Sequence, residues 1–180
     1  MTSTVLVLGV GNLLLGDEGL GPRAIAELER VYRFPPAVRV LDGGTAGLSL
    51  LSEVTAVEKL VVLDAVQAGV NPGSVVAMEG KALRAAYRIA MGPHDVGLGE
   101  LLAAARFHGG PKEIVLFGIE PETTELGWGL SPSVVKALPK LLAEVMRQLD
   151  AWGVGGRPRG HTGPEVLAEA LRPERFSRRA

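Results

Sequence analysis

The sequence predicts a three-layer α/β/α fold around a mainly parallel sheet of five strands. Short runs rich in Val, Ile and Leu that stop at Gly or Asp are typical of strands buried on both faces. Segments with helical periodicity separate these runs, and this alternation produces a parallel sheet covered by helices on both sides. With 180 residues, of which 47% are hydrophobic, the chain is long enough to bury such a sheet.

Five apolar runs predict the strands of that sheet. They are residues 5–8, 38–41, 60–63, 74–78 and 114–117. The first three runs end at Gly9, Asp42 and Asp64. Asn71-Pro72-Gly73, a turn signal, separates the third run from the fourth. The polar residues at the strand ends therefore predict a functional site at one edge of the sheet.

Four segments have the apolar spacing of helices. They are residues 20–31, around 48–54, 98–105 and 134–149. Pro22 fits the first turn of the first helix, and Ser131-Pro132 supplies an N-cap and a first-turn proline for the last. Pro139 lies inside the last pattern and predicts a kink or a break there. Residues 80–93 are ambiguous.

Composition excludes several classes of function. The chain has no cysteine, which excludes disulfides, a cysteine nucleophile, thiolate metal sites and iron–sulfur clusters. A net charge of −1 and 4% aromatic residues argue against a nucleic-acid partner. No basic leader and no apolar run of about 18–20 residues is present, so we expect no membrane partner and a cytoplasmic location.

A change of composition after Trp152 predicts a domain boundary. Residues 1–152 form the α/β domain, and residues 153–180 form a Gly/Arg-rich linker and tail. Residues 153–164 contain five Gly and two Pro, and the segment from 153 onward has six Arg and three Glu, a charge of +3. The tail is either a disordered end or a docking arm.

Glu18, Asp64 and His94 are the candidate metal ligands. Each lies on a different loop expected at the carboxyl ends of the strands. Two carboxylates and an imidazole suit a borderline divalent cation and leave positions open for water or substrate. The alternatives are that Asp17 caps the first helix, that Glu18 complements its dipole, and that His94 is a plain loop residue.

Other motifs are weaker. Gly9-Val10-Gly11 begins like a dinucleotide fingerprint, but the third glycine would fall at Leu14, and Asp17 and Glu18 would repel a diphosphate. The His-Glu-x-x-His and Gly-x-Ser-x-Gly patterns are absent. His108 and His161 lack an acidic partner at a strand end, which favours solvated loop positions.

Several separated motifs carry a family resemblance. They are residues 9–21 (GVGNLLLGDEGLG), 42–47 (DGGTAG), 62–65 (VLDA), 93–94 (PH) and 97–98 (GL). In this order the chain resembles the hydrogenase maturation endopeptidases, and the resemblance covers about residues 4–150. It departs from the family in Asp95, where an amide is expected, and in the tail beyond Trp152.

The resemblance implies an endopeptidase that removes the C-terminal extension of a nickel-loaded hydrogenase large-subunit precursor. Glu18, Asp64 and His94 would be its metal-contacting and catalytic residues. The 42–45 segment (Asp42, Gly43, Gly44 and Thr45) would flank the cleft and bind substrate. The nickel would come with the precursor, so that cleavage follows metal loading. The alternatives are a non-catalytic nickel-binding maturation chaperone that uses the same residues and a nucleotide-binding oxidoreductase.

Overall fold

The chain alternates strands and helices as the sequence predicts. The structure is a computed structural model that describes residues 5–89 and 97–159, and of residues 86–89 the backbone alone. The strands are β1 (Val5–Val10), β2 (Tyr32–Arg33), β3 (Val38–Gly44), β4 (Lys59–Ala65), β5 (Val75–Glu79), β6 (Glu113–Ile119) and β7 (Arg157–Pro158). The helices are α1 (Leu20–Val31), α2 (Leu51–Thr55), α3 (Gly80–Ile89), α4 (Leu98–Phe107) and α5 (Pro132–Ala151), with 3-10 turns at Gly16–Gly19 and Gly47–Leu50.

The five predicted strands form one sheet in the order β3-β1-β4-β6-β5. The first four are mutually parallel, and β5 runs antiparallel to β6. The predicted five-stranded, mainly parallel sheet is therefore confirmed. The four parallel strands end together, and we call the loops that follow them the carboxyl edge: residues 11–19, 45–50, 66–74 and 120–131.

Two hydrophobic layers cover the sheet, which confirms the three-layer architecture. On β1, Val5 and Val7 pack into one core with α1 and α5, whereas Leu6 and Leu8 pack into the other with α2 and α4. Because side chains alternate across a strand, a run that is apolar at every position must be buried on both faces. Residues 80–89, ambiguous in the sequence, form α3, and Leu83 joins the second core.

Helix α5 continues through Pro139, so of the predicted kink or break the break is wrong, and the kink stays a prediction. Eight buried side chains hold it on the sheet: Val134, Val135, Leu138, Leu141, Leu142, Val145, Met146 and Leu149. A fully buried aliphatic side chain contributes about 1.5–3 kcal/mol, and together these outweigh the one hydrogen bond that proline removes. Among residues 5–89 and 97–159 no helix, α5 included, has the length and apolarity that crossing a bilayer requires.

Pro139→Ala is expected to stabilise the protein. The substitution restores an N–H that can donate to the carbonyl of Val135, one helical turn earlier. Proline costs about 3 kcal/mol relative to alanine inside a helix, and its rigidity returns up to about 1 kcal/mol through the unfolded chain. We therefore expect urea denaturation to show a gain of about 2 kcal/mol. Pro132→Ala at the first helical position is the control and should change little. A loss of stability in Pro139→Ala would contradict this account.

The residues that follow α5 lie against the α/β body. Gly153 has φ 73°, which ends the helix, and Val154 packs on the core of α1 and α5. The short strand β7 then pairs antiparallel with β2, and the Arg159 N–H donates to the carbonyl of Val31 at 2.8 Å. The division of the chain at residue 152 stays a prediction, since residues 160–180 lie outside the described part.

Candidate functional site at the carboxyl edge

Three glycines bring the start of α1 against the strand ends. A side chain on Gly21 would overlap the carbonyl oxygens of Val10 and Leu63, and one on Gly9 would overlap the carbonyl of Gly21. Gly11 has φ 135°, and a side chain there would overlap the carbonyl of Glu18. The glycines of the first motif therefore permit close backbone packing, a role that requires no bound nucleotide.

Glu18 and Asp64 occupy neighbouring elements of this edge. Glu18 lies in the 3-10 turn Gly16–Gly19, which packs against β4. Asp64 is the penultimate residue of β4 and pairs with Gly118 of β6. Both side chains are half-buried. Because β4 lies between β1 and β6, the fold brings two segments 46 positions apart to the centre of one edge.

His94 and Asp95 lie outside the described residues, so the convergence of Glu18, Asp64 and His94 on one ion stays a prediction. The structure does describe Gly97, three positions after the histidine. A side-chain carbon on Gly47 would lie 3.6 Å from the Cα of Gly97. The described chain therefore resumes, at Gly97, beside the loop after β3. No group of three or more potential metal-ligating side chains is found among the residues that are described.

The loop after β3 lies at the same edge. Asp42 is exposed, and its Oδ1 accepts the N–H of Gly44 at 2.9 Å. The carbonyl of Gly44 accepts the N–H of Gly11 at 3.0 Å, which joins this loop to the loop after β1. Gly43 is buried and Thr45 is exposed. The predicted substrate-binding residues thus face the same edge as Glu18, and their role stays a prediction.

Asp17 has a structural role that the sequence analysis missed. It is fully buried, and its carboxylate accepts four hydrogen bonds. The N–H groups of Glu122 and Thr123 donate to Oδ2 at 2.8 and 3.1 Å. Ser131 donates its N–H to Oδ1 at 2.6 Å and its hydroxyl to Oδ2 at 2.8 Å. The interpretation of Asp17 as the cap of α1 is therefore wrong, because its bonds reach the loop after β6 and the start of α5 instead.

These bonds join the loops after β1 and β6. The N–H of Asp17 donates to the carbonyl of Thr123 at 3.0 Å, and Gly16 donates to Gly127 at 2.9 Å. Gly127 in turn donates to the carbonyl of Leu14 at 2.8 Å. Glu18 follows Asp17 directly, so its backbone is positioned by this network. Nothing in the sequence pairs an acid with a segment 105–114 positions away. Ser131 occupies the predicted N-cap position of α5, but its side chain makes no cap hydrogen bond and donates to Asp17 instead.

A polar cleft of about 380 Å³ lies beside this network. It is lined by Gln67, Gly69, Glu120, Pro121, Glu122, Thr123 and Thr124. Glu120 is buried, and its Oε2 accepts the N–H of Ala68 at 2.7 Å and that of Val70 at 3.4 Å. These bonds hold the loop that follows Asp64 onto the end of β6. The cleft is therefore a continuation of the edge that carries Glu18 and Asp64.

Arg23 lies one turn into α1, close to this edge. Burial lowers the pKa of its guanidinium from the ordinary value. Its Nε is buried and has no hydrogen-bond partner among the described residues.

The predicted solvated histidine, His108, is exposed after α4 at the opposite edge of the sheet, where its ring contacts Phe107. That prediction is confirmed, while His161 lies outside the described residues.

The fold and the site together define a class: a three-layer α/β/α protein whose carboxylates gather beyond the ends of parallel strands. Comparison with known proteins makes this specific. The hydrogenase maturation protease family matches residues 22–148. The chain therefore belongs to the hydrogenase maturation protease family, and it is an endopeptidase that processes the hydrogenase large-subunit precursor.

Individual relatives support this assignment over nearly the whole chain. The Hydrogenase 2 maturation protease of Escherichia coli (strain K12) is 39% identical over 157 residues, covering 86% of this chain and 96% of that protein. HupD of Rhizobium leguminosarum bv. viciae, a hydrogenase expression/formation protein, is 36% identical and covers 98% of this chain and 90% of that protein. The solved structure of the hydrogenase maturating endopeptidase HybD from E. coli has a TM-score of 0.82 at 38% identity, covering 88% of this chain and 99% of that one.

Proposed function

We propose that this chain removes the C-terminal extension of a hydrogenase large-subunit precursor after nickel has been inserted, and that Glu18, Asp64 and His94 contact the precursor's nickel. One observation carries the proposal: the turn that bears Glu18 packs against β4, whose penultimate residue is Asp64, at the centre of the carboxyl edge. Membership of the protease family supports the reaction, hydrolysis of a peptide bond, and the substrate, the large-subunit precursor.

The chemistry of these side chains fits nickel. Two carboxylates and one imidazole form a set of oxygen and nitrogen ligands that a borderline divalent cation accepts. With three ligands from the protease, the remaining positions can be filled by the groups that hold nickel in the precursor. The metal is then part of the substrate, and the chain needs no nickel of its own.

Such shared ligation explains how cleavage would wait for metal loading. A precursor without nickel lacks the group that Glu18 and Asp64 contact, so its competent complex with the protease is not favoured. In the competent complex, water adds to the carbonyl carbon of the scissile peptide bond. A carboxylate at the edge takes a proton from that water, and the leaving amine gains a proton as the carbon–nitrogen bond breaks.

The test uses the full chain and two forms of one precursor, with and without nickel. We expect the full chain to shorten the nickel-loaded precursor by its C-terminal extension and to leave the nickel-free form intact, as measured by intact-mass spectrometry. Equal cleavage of both forms would contradict the part of the proposal in which cleavage requires nickel in the precursor. Tight binding of the loaded precursor without cleavage would instead support the non-catalytic chaperone alternative.

A further inference from the structure

The charges of the chain are segregated, although its net charge is only −1. The four loops of the carboxyl edge contain no Lys or Arg, and they contain five acidic residues: Asp17 and Glu120, which are buried, and Glu18, Glu122 and Glu125, which are not. Asp42 and Asp64 add two more at the strand ends. Glu122 and Glu125 are exposed to solvent. The nearest base that follows the first of these loops, Arg23, is half-buried in α1.

The opposite edge of the sheet has paired charges of both signs. Lys59 forms an ion pair with Glu113 at 2.8 Å, and Lys112 lies 3.7 Å from Glu58. The hydrogen bond from Lys59 lowers the pKa of Glu113 from its ordinary value. The acidic surplus is therefore a property of the carboxyl edge rather than of the whole surface. A surface with charge of one sign raises the association rate of a partner with charge of the opposite sign.

Exposed apolar side chains accompany this charge. Leu14, Leu126 and Trp128, which we call the apolar lip, are 47%, 81% and 65% exposed. They lie on paired backbone, because Gly127, between Leu126 and Trp128, donates its N–H to the carbonyl of Leu14 at 2.8 Å. A Trp and a Leu with this exposure beside a reactive edge are typical of an interaction site, since soluble proteins rarely leave large apolar groups clustered in water.

The apolar lip is fixed relative to the proposed site. The loop 120–131 is held by the carboxylate of Asp17, and Leu14 lies four positions before Glu18 on the loop after β1. A bridge between Leu15 and Gly127 and the hydrogen bond from Gly16 to Gly127 complete the connection. Because its backbone is held in this way, the lip loses little backbone conformational entropy when a partner covers it.

We propose that the apolar lip and the acidic side chains of the loop 120–131 form the docking surface for the precursor, which presents there an apolar side chain flanked by Lys or Arg. The inference rests on the proposed function, because the precursor is the partner that this function brings to the carboxyl edge. Charge selects and steers the partner, and burial of Trp128 and Leu126 slows its dissociation. The surface sets the affinity for substrate, while Glu18 and Asp64 carry out the chemistry.

The main test is the double variant Leu126→Ser/Trp128→Ser in processing assays on the nickel-loaded precursor. We expect KM to rise about tenfold or more with kcat within about twofold of the unmodified chain, the pattern for loss of binding that substrate and transition state share. Phe107→Ser is the matched control, because Phe107 is 87% exposed but lies at the opposite edge. An unchanged urea midpoint confirms that each variant is folded.

Charge is tested separately with Glu125→Lys, which we expect to raise KM about threefold or more at low salt and less at high salt. Glu29→Lys, an exposed position on α1, is its control and should leave KM unchanged. If the unmodified chain is active and KM is normal in both Leu126→Ser/Trp128→Ser and Glu125→Lys, the proposed docking surface is wrong and the proposed function stands. An unmodified chain that does not process the precursor overturns both. Sedimentation can also show the unmodified chain to be a dimer and the double variant to be a monomer. That result would assign the apolar lip to self-association and overturn the proposal.

Discussion

Asp64→Asn and Glu18→Gln are each expected to lower processing of the nickel-loaded precursor by about 100-fold or more, with little change in stability. Each substitution keeps the shape of the side chain and removes its negative charge. An amide is a poorer ligand for a divalent cation than a carboxylate and cannot take a proton from water. Both residues lie half-buried at the end of an element rather than in the core, so the fold should tolerate the exchange.

The measurement is the initial rate of extension loss at saturating precursor, followed by intact mass. Glu29→Gln is the matched control, since it removes a carboxylate from the solvent-exposed side of α1 without approaching the carboxyl edge. We expect it to process at the normal rate. Processing at more than about a tenth of the normal rate in either site variant would remove that residue from the chemistry.

The second large effect is expected at Asp17, on stability. Asp17→Ala leaves three N–H groups and one hydroxyl without their acceptor: the two groups of Ser131 are buried, and the N–H groups of Glu122 and Thr123 are part-buried. Each unsatisfied buried donor costs about 1–3 kcal/mol, and since water will replace some of these contacts we expect a total loss of about 4 kcal/mol. Urea denaturation measures this loss, and hydrogen exchange should show the amides of Glu122 and Thr123 opening before the core strands.

Ser131→Ala and Asp17→Asn separate this network from a general loss of packing. Ser131→Ala removes one of the four donors and should cost about 1.5 kcal/mol. Asp17→Asn keeps one acceptor oxygen but places an NH₂ group against donors, so we expect a loss between those of the other two variants. The double variant Asp17→Ala/Ser131→Ala should lose less than the sum of its parts. Strict additivity would show that the two side chains act independently.

The sheet could be predicted because its strands are buried on both faces. Runs such as Leu60-Val61-Val62-Leu63 have neither the alternation of a half-exposed strand nor the length of a helix. Helix starts followed from local signals, such as a proline in the first turn at Pro22 and Pro132. The effect of Pro139 could not be predicted the same way, because burial of the α5 face in the core outweighs the local cost.

The position of two candidate site residues follows from the sequence, while their role stays a prediction. Asp64 is unusual as an acid at a strand end, Glu18 lies on the loop between the first strand and the first helix, and parallel topology places both at one edge. The network of Asp17 escaped the sequence analysis, since its donors lie 105–114 positions away and backbone N–H groups have no residue signature. The apolar lip escaped it too, because Leu14 and Trp128 become neighbours only through hydrogen bonds between two loops.

By itself the sequence determined the five strands of the sheet, the helices that cover them except α3, and the acidic residues near the strand ends. These depend on hydrophobic periodicity and turn chemistry, which operate over a few residues and can therefore be recognised in a short stretch of sequence. The tertiary structure alone decided that Asp17 joins two loops, that α5 continues through Pro139, and that an acidic edge carries an apolar lip. Each of these depends on which distant segments become neighbours, and burial and hydrogen bonding acquire their energies only once that packing exists.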